Sequence, residues 1–305
     1  MTPRTTRRTG AAKSRLVAIG ALAAAGALVL SSCGDQTDDG GDGGDGGETK
    51  ANAAPGALPK AIEDAGVIKV GSDIAYAPME FDQGGQPAGV DIDIANALGE
   101  ELGVEFQFQN NVFDNLIPSL DSGRFDIIMS SMTDNKERQA EVDFVDYFSA
   151  GVSILVQKGN PEGVSTLDDL CGKTVAFQRG TVSADIAKAQ NEKCDKPIKT
   201  LPFTKDTEAL QQVKQGRAVA DLNDFPVAAY NARESGGGED FEVVGEQIDA
   251  APYGIAVSKD NPELRDALAK ALDAIIENGE YQKVLEKWNV EKGGVDKATV
   301  NGGNE

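Results

Sequence analysis

The chain has 305 residues, with 29 basic against 50 acidic side chains, no histidine, and a formal net charge of −21. So acidic a chain has no electrostatic footprint for nucleic acid or for anionic lipid. With no histidine in the chain, the cysteine pair Cys171 and Cys194 gives too few ligands for a metal site of its own, and general acid–base work would fall to carboxylates or lysine; the sequence implies no cofactor.

Residues 1–32 read as an export signal: Arg4, Arg7, Arg8, Lys13 and Arg15 precede an apolar, alanine-rich run over 16–30 that is too short for a comfortable membrane span. The run ends in Leu30-Ser31-Ser32-Cys33, which resembles the bacterial lipoprotein box and makes Cys33 the expected lipidation site. The signal holds five basic residues and no acidic one, so its removal leaves 24 basic against 50 acidic, or −26. Residues 33–57, rich in glycine and aspartate, have no aromatic residue and no apolar periodicity. They cannot bury enough surface to offset ordering entropy and are expected to be a flexible tether. Their aspartate–glycine repeat lacks the spacing of a calcium loop.

The folded body opens with the strand Val67-Ile68-Lys69-Val70, leading to Asp73 and Tyr76. Ile94, Leu98 and Leu102 then recur at helical spacing, and 104–109 alternates as a strand does, ahead of Phe113. The apolar run Asp126-Ile127-Ile128-Met129 leads into the hydroxyls of Ser130, Ser131 and Thr133, with Arg138 five residues on. Open α/β sheets place ligands at such carboxyl strand ends. Hydroxyl donors beside a planar guanidinium make a site for a small carboxylate; a polar loop with a solvated arginine is the plainer alternative. Segments near 149–154 and 250–255 are expected to cross between two lobes. Cys171 and Cys194 are an even pair in an exported chain and are expected to form a structural disulfide. Between them, 174–177 is a strand whose outlet, Gly180-Thr181, offers free amides at a helix amino terminus, suited to an anion or simply to a cap. The strand 218–222 is followed by Asp224 just before Pro226, where helix capping would by itself explain an aspartate. A return strand over 253–257 precedes a helix carrying Leu264, Leu268 and Leu272, then a shorter one with Tyr281, Leu285 and Trp288. The polar tail, 291–305, is expected to be disordered.

The stretch 126–148 resembles the signature of the extracellular solute-binding proteins of polar amino-acid ABC importers, solute-binding family 3. Met132, Thr133, Arg138, Asp143 and Phe144 fit that pattern; Val145 and Tyr147 depart from it, past the ligand-facing positions. The resemblance runs in order over most of 60–290, at five separate motifs. It implies an α/β, two-lobed periplasmic-binding-protein-like fold of type II, with two mixed sheets, flanking helices and a two-segment hinge. Its parts would be 58–152 and 252–290 for the first lobe and 153–251 for the second.

The same resemblance implies the site. Arg138 and Thr181 would take a ligand carboxylate, with Ser131 and Thr133 beside them. Asp224 would take the α-ammonium, and Asp73 would meet the ligand side chain between the rings of Tyr76 and Phe113, though both rings also suit a plain core. Asp73 favours a cationic solute such as arginine, lysine or ornithine, with glutamine also compatible. The implied protein is a monomer without enzymatic activity. It would be held by lipid on Cys33 to the outer face of the cell membrane and would hand its solute to an ABC permease. The alternatives are a dehydratase-like enzyme on the same fold or an amino-acid sensor for a receptor.

Overall fold

The computed structural model describes residues 58–303. Cys33, the signal and the tether lie outside them. In chain order the elements are α1 (Lys60–Ala65), β1 (Val67–Ser72), β2 (Ala75–Tyr76), β3 (Glu80–Asp82), β4 (Pro87–Ala88), α2 (Val90–Leu102), β5 (Glu105–Asn110), α3 (Leu116–Asp121), β6 (Ile127–Ile128), α4 (Lys136–Gln139) and β7 (Val142–Gln157). There follow β8 (Thr174–Gln178), α5 (Val182–Lys193), β9 (Lys199–Phe203), α6 (Asp206–Lys214), β10 (Ala220–Asp224), α7 (Phe225–Glu234), β11 (Phe241–Ser258), α8 (Pro262–Glu277), α9 (Glu280–Trp288) and β12 (Thr299–Val300).

The main sheet runs β5-β1-β6-β11-β7-β10-β8-β9. β1 lies parallel to β5 and β6, and β8 parallel to β9 and β10. Between these parallel sets run the two long antiparallel strands β7 and β11. The amino half of β7 pairs with the carboxyl half of β11, Val145 opposite Ile255, and the carboxyl half with the amino half, Ile154 opposite Val244. The crossing segments expected near 149–154 and 250–255 are therefore the middles of two strands, and the two expected sheets are continuous through them. The pairing is interrupted between Val244 and Ile248, between Ile248 and Ala251, and between Tyr253 and Gly254, and such irregularities let strands bend. Gly151 leaves room for a close approach of the strands: a Cβ there would lie 2.8 Å from the Ile248 carbonyl oxygen.

Helices cover both faces, so β7 reads as a nearly unbroken buried run. Val145 and Tyr147 join the core under α2 and α8, while Val142 and Phe144 join the opposite one with Leu116, Leu120 and Phe125. The leucine stripes at 264, 268 and 272 and the 94, 98, 102 stripe are buried as their spacing requires. Cys171 and Cys194 form a disulfide with Cα atoms 5.4 Å apart. Closing this 23-residue separation contributes roughly 3 kcal/mol in the chain-entropy account.

The tail corrects the expectation of disorder. β10 covers β7 only from Val152 onward, leaving the amino half with an open edge, and β12 fills it at Val145 and Asp146. Asn301 donates to Asp143 at 3.0 Å, and the Gly302 and Gly303 amides donate to Asp146 and Asp134 at 2.9 and 2.8 Å. A tail without apolar periodicity thus docks through main-chain bonds, which composition does not reveal.

Candidate functional site

Four strand outlets converge on one cavity. β1 ends into Asp73 and β6 into Ser130 and Ser131, before the first crossing; β8 ends at Gln178 and β10 at Asp224, after it. The cavity is lined by Asp73, Tyr76, Phe113, Ser131, Thr133, Arg138, Thr181 and Asp224 together with Glu80, Ser130, Gln178 and Val182. All eight residues expected from the sequence face one space.

Asp73 is 4 % exposed. Gln178 Nε2 donates to its Oδ2 at 2.5 Å, while Oδ1 has no hydrogen-bond partner among the described residues. Burial pushes this carboxyl up to about 6, against the Gln178 bond and the charge of Lys205. Asp224 stands at the amino end of α7 yet its side chain makes no cap bond. The carboxylate that capping would have used is directed elsewhere, and burial pushes it up to about 6 against the Tyr253 and Tyr76 hydroxyls and the Arg138 charge. The Asp224 amide donates to Tyr76 Oη at 2.9 Å.

Arg138 lies over the Phe113 ring, its guanidinium carbon 5.5 Å from the centroid. It donates to the Thr133 carbonyl at 2.7 Å and, across the cleft, to the Gly180 carbonyl at 3.0 Å. Two of its five donors are so engaged. Burial lowers its pKa, opposed by Asp185 and Asp224. Thr181 caps its helix and also faces the cavity. Its hydroxyl accepts from Ala184 at 3.3 Å and donates to the Gln178 carbonyl at 2.8 Å.

The serines are held from beneath. Ser130 and Ser131 donate to the two carboxyl oxygens of Glu80 at 3.0 Å each, so towards the cavity they offer acceptor oxygens more readily than protons. Ser131 adopts φ +47, a left-handed backbone uncommon outside glycine, and its amide donates to Asp91 at 3.0 Å. Burial, with the neighbouring Asp91 charge, raises Glu80 well above the usual carboxylate range; burial likewise takes Asp91 to about 6, against the Tyr147 hydroxyl that donates to it. Glu80 and Gln178 are polar lining residues not expected from the sequence. Gln178 had a signal, being the last residue of a strand whose outlet was already of interest. Glu80, an isolated acid in the apolar stretch Pro78-Met79-Glu80-Phe81, had only its unlikely company.

This arrangement, two halves of an α/β sheet meeting over a cavity at their carboxyl strand ends, defines a two-lobed solute-binding fold. The family model of the bacterial extracellular solute-binding proteins, family 3, matches residues 68–291, and the chain belongs to that family. Among its relatives, the arginine-binding protein ArgT of Corynebacterium glutamicum is 36 % identical over 251 residues, covering 80 % of this chain and 81 % of that one. Similar solved structures include an ancestral arginine-binding protein bound to arginine, with 38 % identity, TM-score 0.69 and coverage of 73 % of this chain and 98 % of that chain. An ancestral amino acid-binding protein, described as a precursor of cyclohexadienyl dehydratase, has 39 % identity and TM-score 0.69, covering 75 % of this chain and 98 % of that chain.

Proposed function

We propose that this protein captures a free amino acid with a cationic side chain, arginine, lysine or ornithine, and delivers it to an ABC permease by closure of the two lobes. The observation that carries this is the charge balance of the cavity. Asp73 and Asp224, both near 6 and so mostly ionised at pH 7, share the lining with Arg138, its one cation, while Glu80 turns both carboxyl oxygens to Ser130 and Ser131. Of these two carboxyls Arg138 matches one. The zwitterionic end of an amino acid matches Arg138 and Asp224, and the remaining Asp73, with its unpartnered buried oxygen, is matched by one more positive charge. A buried charge is tolerated when paired and hydrogen-bonded.

In this reading Arg138, with Thr133 and Thr181, holds the carboxylate, Asp224 and the acceptor oxygen of Ser131 hold the ammonium, and Tyr76 and Phe113 flank the side chain. The lobes would be 58–152 with 252–290, to which the ordered tail adds, and 153–251. The chain would act as a monomer, held to the outer face of the cell membrane by lipid on Cys33. ArgT and the arginine-bound ancestral structure support the choice of a basic amino acid by their names. Titration calorimetry of the full chain, freed of carried-over ligand by unfolding and refolding, tests it. Tight binding of L-arginine, L-lysine or L-ornithine over L-glutamine is expected; a preference for L-glutamine overturns the assignment of Asp73, and no binding of any overturns amino-acid capture.

A further inference from the structure

Arg179 and Asp114 stand at the rim of the cleft, on opposite sides of the first crossing, and neither lines the cavity. Asp114 belongs to the helical turn Phe113–Asn115, directly after a ring of the cavity wall. Arg179 belongs to the β8–α5 turn, where its amide donates to the Phe203 carbonyl at 2.9 Å and its Nη2 to Thr204 Oγ1 at 2.8 Å. Held from that side, its Nε reaches Asp114 Oδ2 at 3.6 Å. The next residue, Gly180, has φ +73, and a Cβ there would lie 2.9 Å from the Asp114 Cβ, so the two turns meet backbone to side chain with no room between.

We infer that Arg179 and Asp114 form a rim latch that exists only while the lobes are together and sets how long a bound amino acid is retained. The inference rests on the proposed capture by closure. The two side chains are 49 % and 35 % exposed. Such a pair contributes little to folding, but none of its contribution survives lobe separation, so all of it bears on the opening equilibrium. A ligand that leaves only through the open form then leaves faster when the pair is broken, by about two- to fivefold for an ion pair this exposed. Because the charges face solvent, salt weakens the latch. The Asp114 charge also helps raise the Asp73 carboxyl, whereas Arg179 is not among the charges that act on it, so the order of preference among amino acids stays as it was in an Arg179 variant.

The test is release of radiolabelled L-arginine from the full chain, chased with unlabelled L-arginine, in the parent, Asp114→Asn, Arg179→Gln and the double variant, at low and high salt. The latch predicts release about two- to fivefold faster in each single variant at low salt. It also predicts no further gain in the double variant, a parental rate that approaches theirs at high salt, and, in Arg179→Gln, unchanged relative affinities for L-arginine, L-lysine and L-glutamine. The charge-exchanged pair Asp114→Arg with Arg179→Asp slows release back towards the parent. Parental release rates in both single variants, or an altered ligand order in Arg179→Gln, would overturn the latch while leaving capture intact. Should none of the three amino acids bind, the capture reading fails, and small-angle scattering of the unliganded protein decides on the latch alone. A larger radius of gyration for Asp114→Asn at low salt supports it, and superimposable curves overturn it.

Discussion

Replacing Asp73 by asparagine separates the side-chain charge from everything else the cavity does. Asp73 is raised from 3.8 to about 6 chiefly by burial. A shift of about two units corresponds to roughly 3 kcal/mol by which ionisation disfavours the folded, unliganded state at pH 7. The sign follows from the direction: a carboxyl with a raised folded pKa binds more protons folded than unfolded, so its ionisation is a destabilising contribution, fully present above pH 6. Asp73→Asn removes that contribution and keeps a polar group beside Gln178. The unliganded variant is expected to melt higher by several degrees, at about 2–4 °C per kcal/mol for a body of this size. Binding moves the other way. Removing the carboxylate leaves a ligand cation buried without its partner, which costs about 2–5 kcal/mol. L-arginine affinity should therefore fall on the order of 100-fold, and L-glutamine affinity hardly at all. Differential scanning fluorimetry without ligand and calorimetry with each amino acid read the two arms. A variant that melts lower and binds L-arginine as the parent does would refute both the electrostatics of Asp73 and its assignment.

Arg138→Lys keeps the charge but loses the planar fork that reaches both Thr133 and Gly180. Affinity should fall roughly 10- to 100-fold, and equally for cationic and neutral amino acids, because the group recognised is common to all; a loss confined to arginine in calorimetry counts against it. Lowering the pH from 7 to 5 protonates Asp73 and Asp224, both near 6. L-arginine affinity should drop by up to about tenfold per carboxyl, while the unliganded melting temperature rises, since Asp91 at about 6 and Asp146 and Asp206 at about 7 share the same direction. A melting temperature that falls steadily over that window contradicts the raised values. Deleting residues 299–305 removes β12 and the amides that satisfy the buried carboxylates of Asp134 and Asp146. The expected loss is about 2–4 kcal/mol in urea unfolding, and an unchanged midpoint would mean that the tail does not dock in solution.

Much of this fold was legible because its elements advertise themselves by period. The stripes at Ile94, Leu98, Leu102 and at Leu264, Leu268, Leu272 admit few placements besides a buried helix face. The strand outlets at Asp73, Ser131, Thr181 and Asp224 follow from where parallel strands end. Harder to read were features decided by partners distant in sequence. Whether Asp224 capped its helix or faced the cavity depended on burial beside Tyr76 and Tyr253, which lie far off along the chain. Glu80 and Gln178 acquire their roles only when Ser130, Ser131 and Asp73 arrive from elsewhere. The tail was misjudged for the same reason: it docks because β10 stops at Val152, a property of another strand's length.

The cavity's excess of acid also bears on why closure would follow the ligand. Closed without a solute, the lobes bury two carboxylates whose ionisation is disfavoured and one guanidinium whose pKa is lowered by the same burial. Direct bonds across the cleft offset this in part: Gln178 to Asp73, Arg138 to the Gly180 carbonyl, and the Asp224 amide to Tyr76. Opening would return the charged groups to water, so the empty closed form is held by those bonds and the rim pair alone. A cationic amino acid would change that balance for the closed form alone, because only there would Arg138 and Asp224, on the two proposed lobes, reach the same molecule. A ligand shifts a conformational equilibrium by no more than its difference in affinity for the two forms. Here that difference comes from charges that solvent serves well in one form and only the solute serves in the other. Burial of the acids, costly to the folded chain, is what would make closure conditional on the right solute.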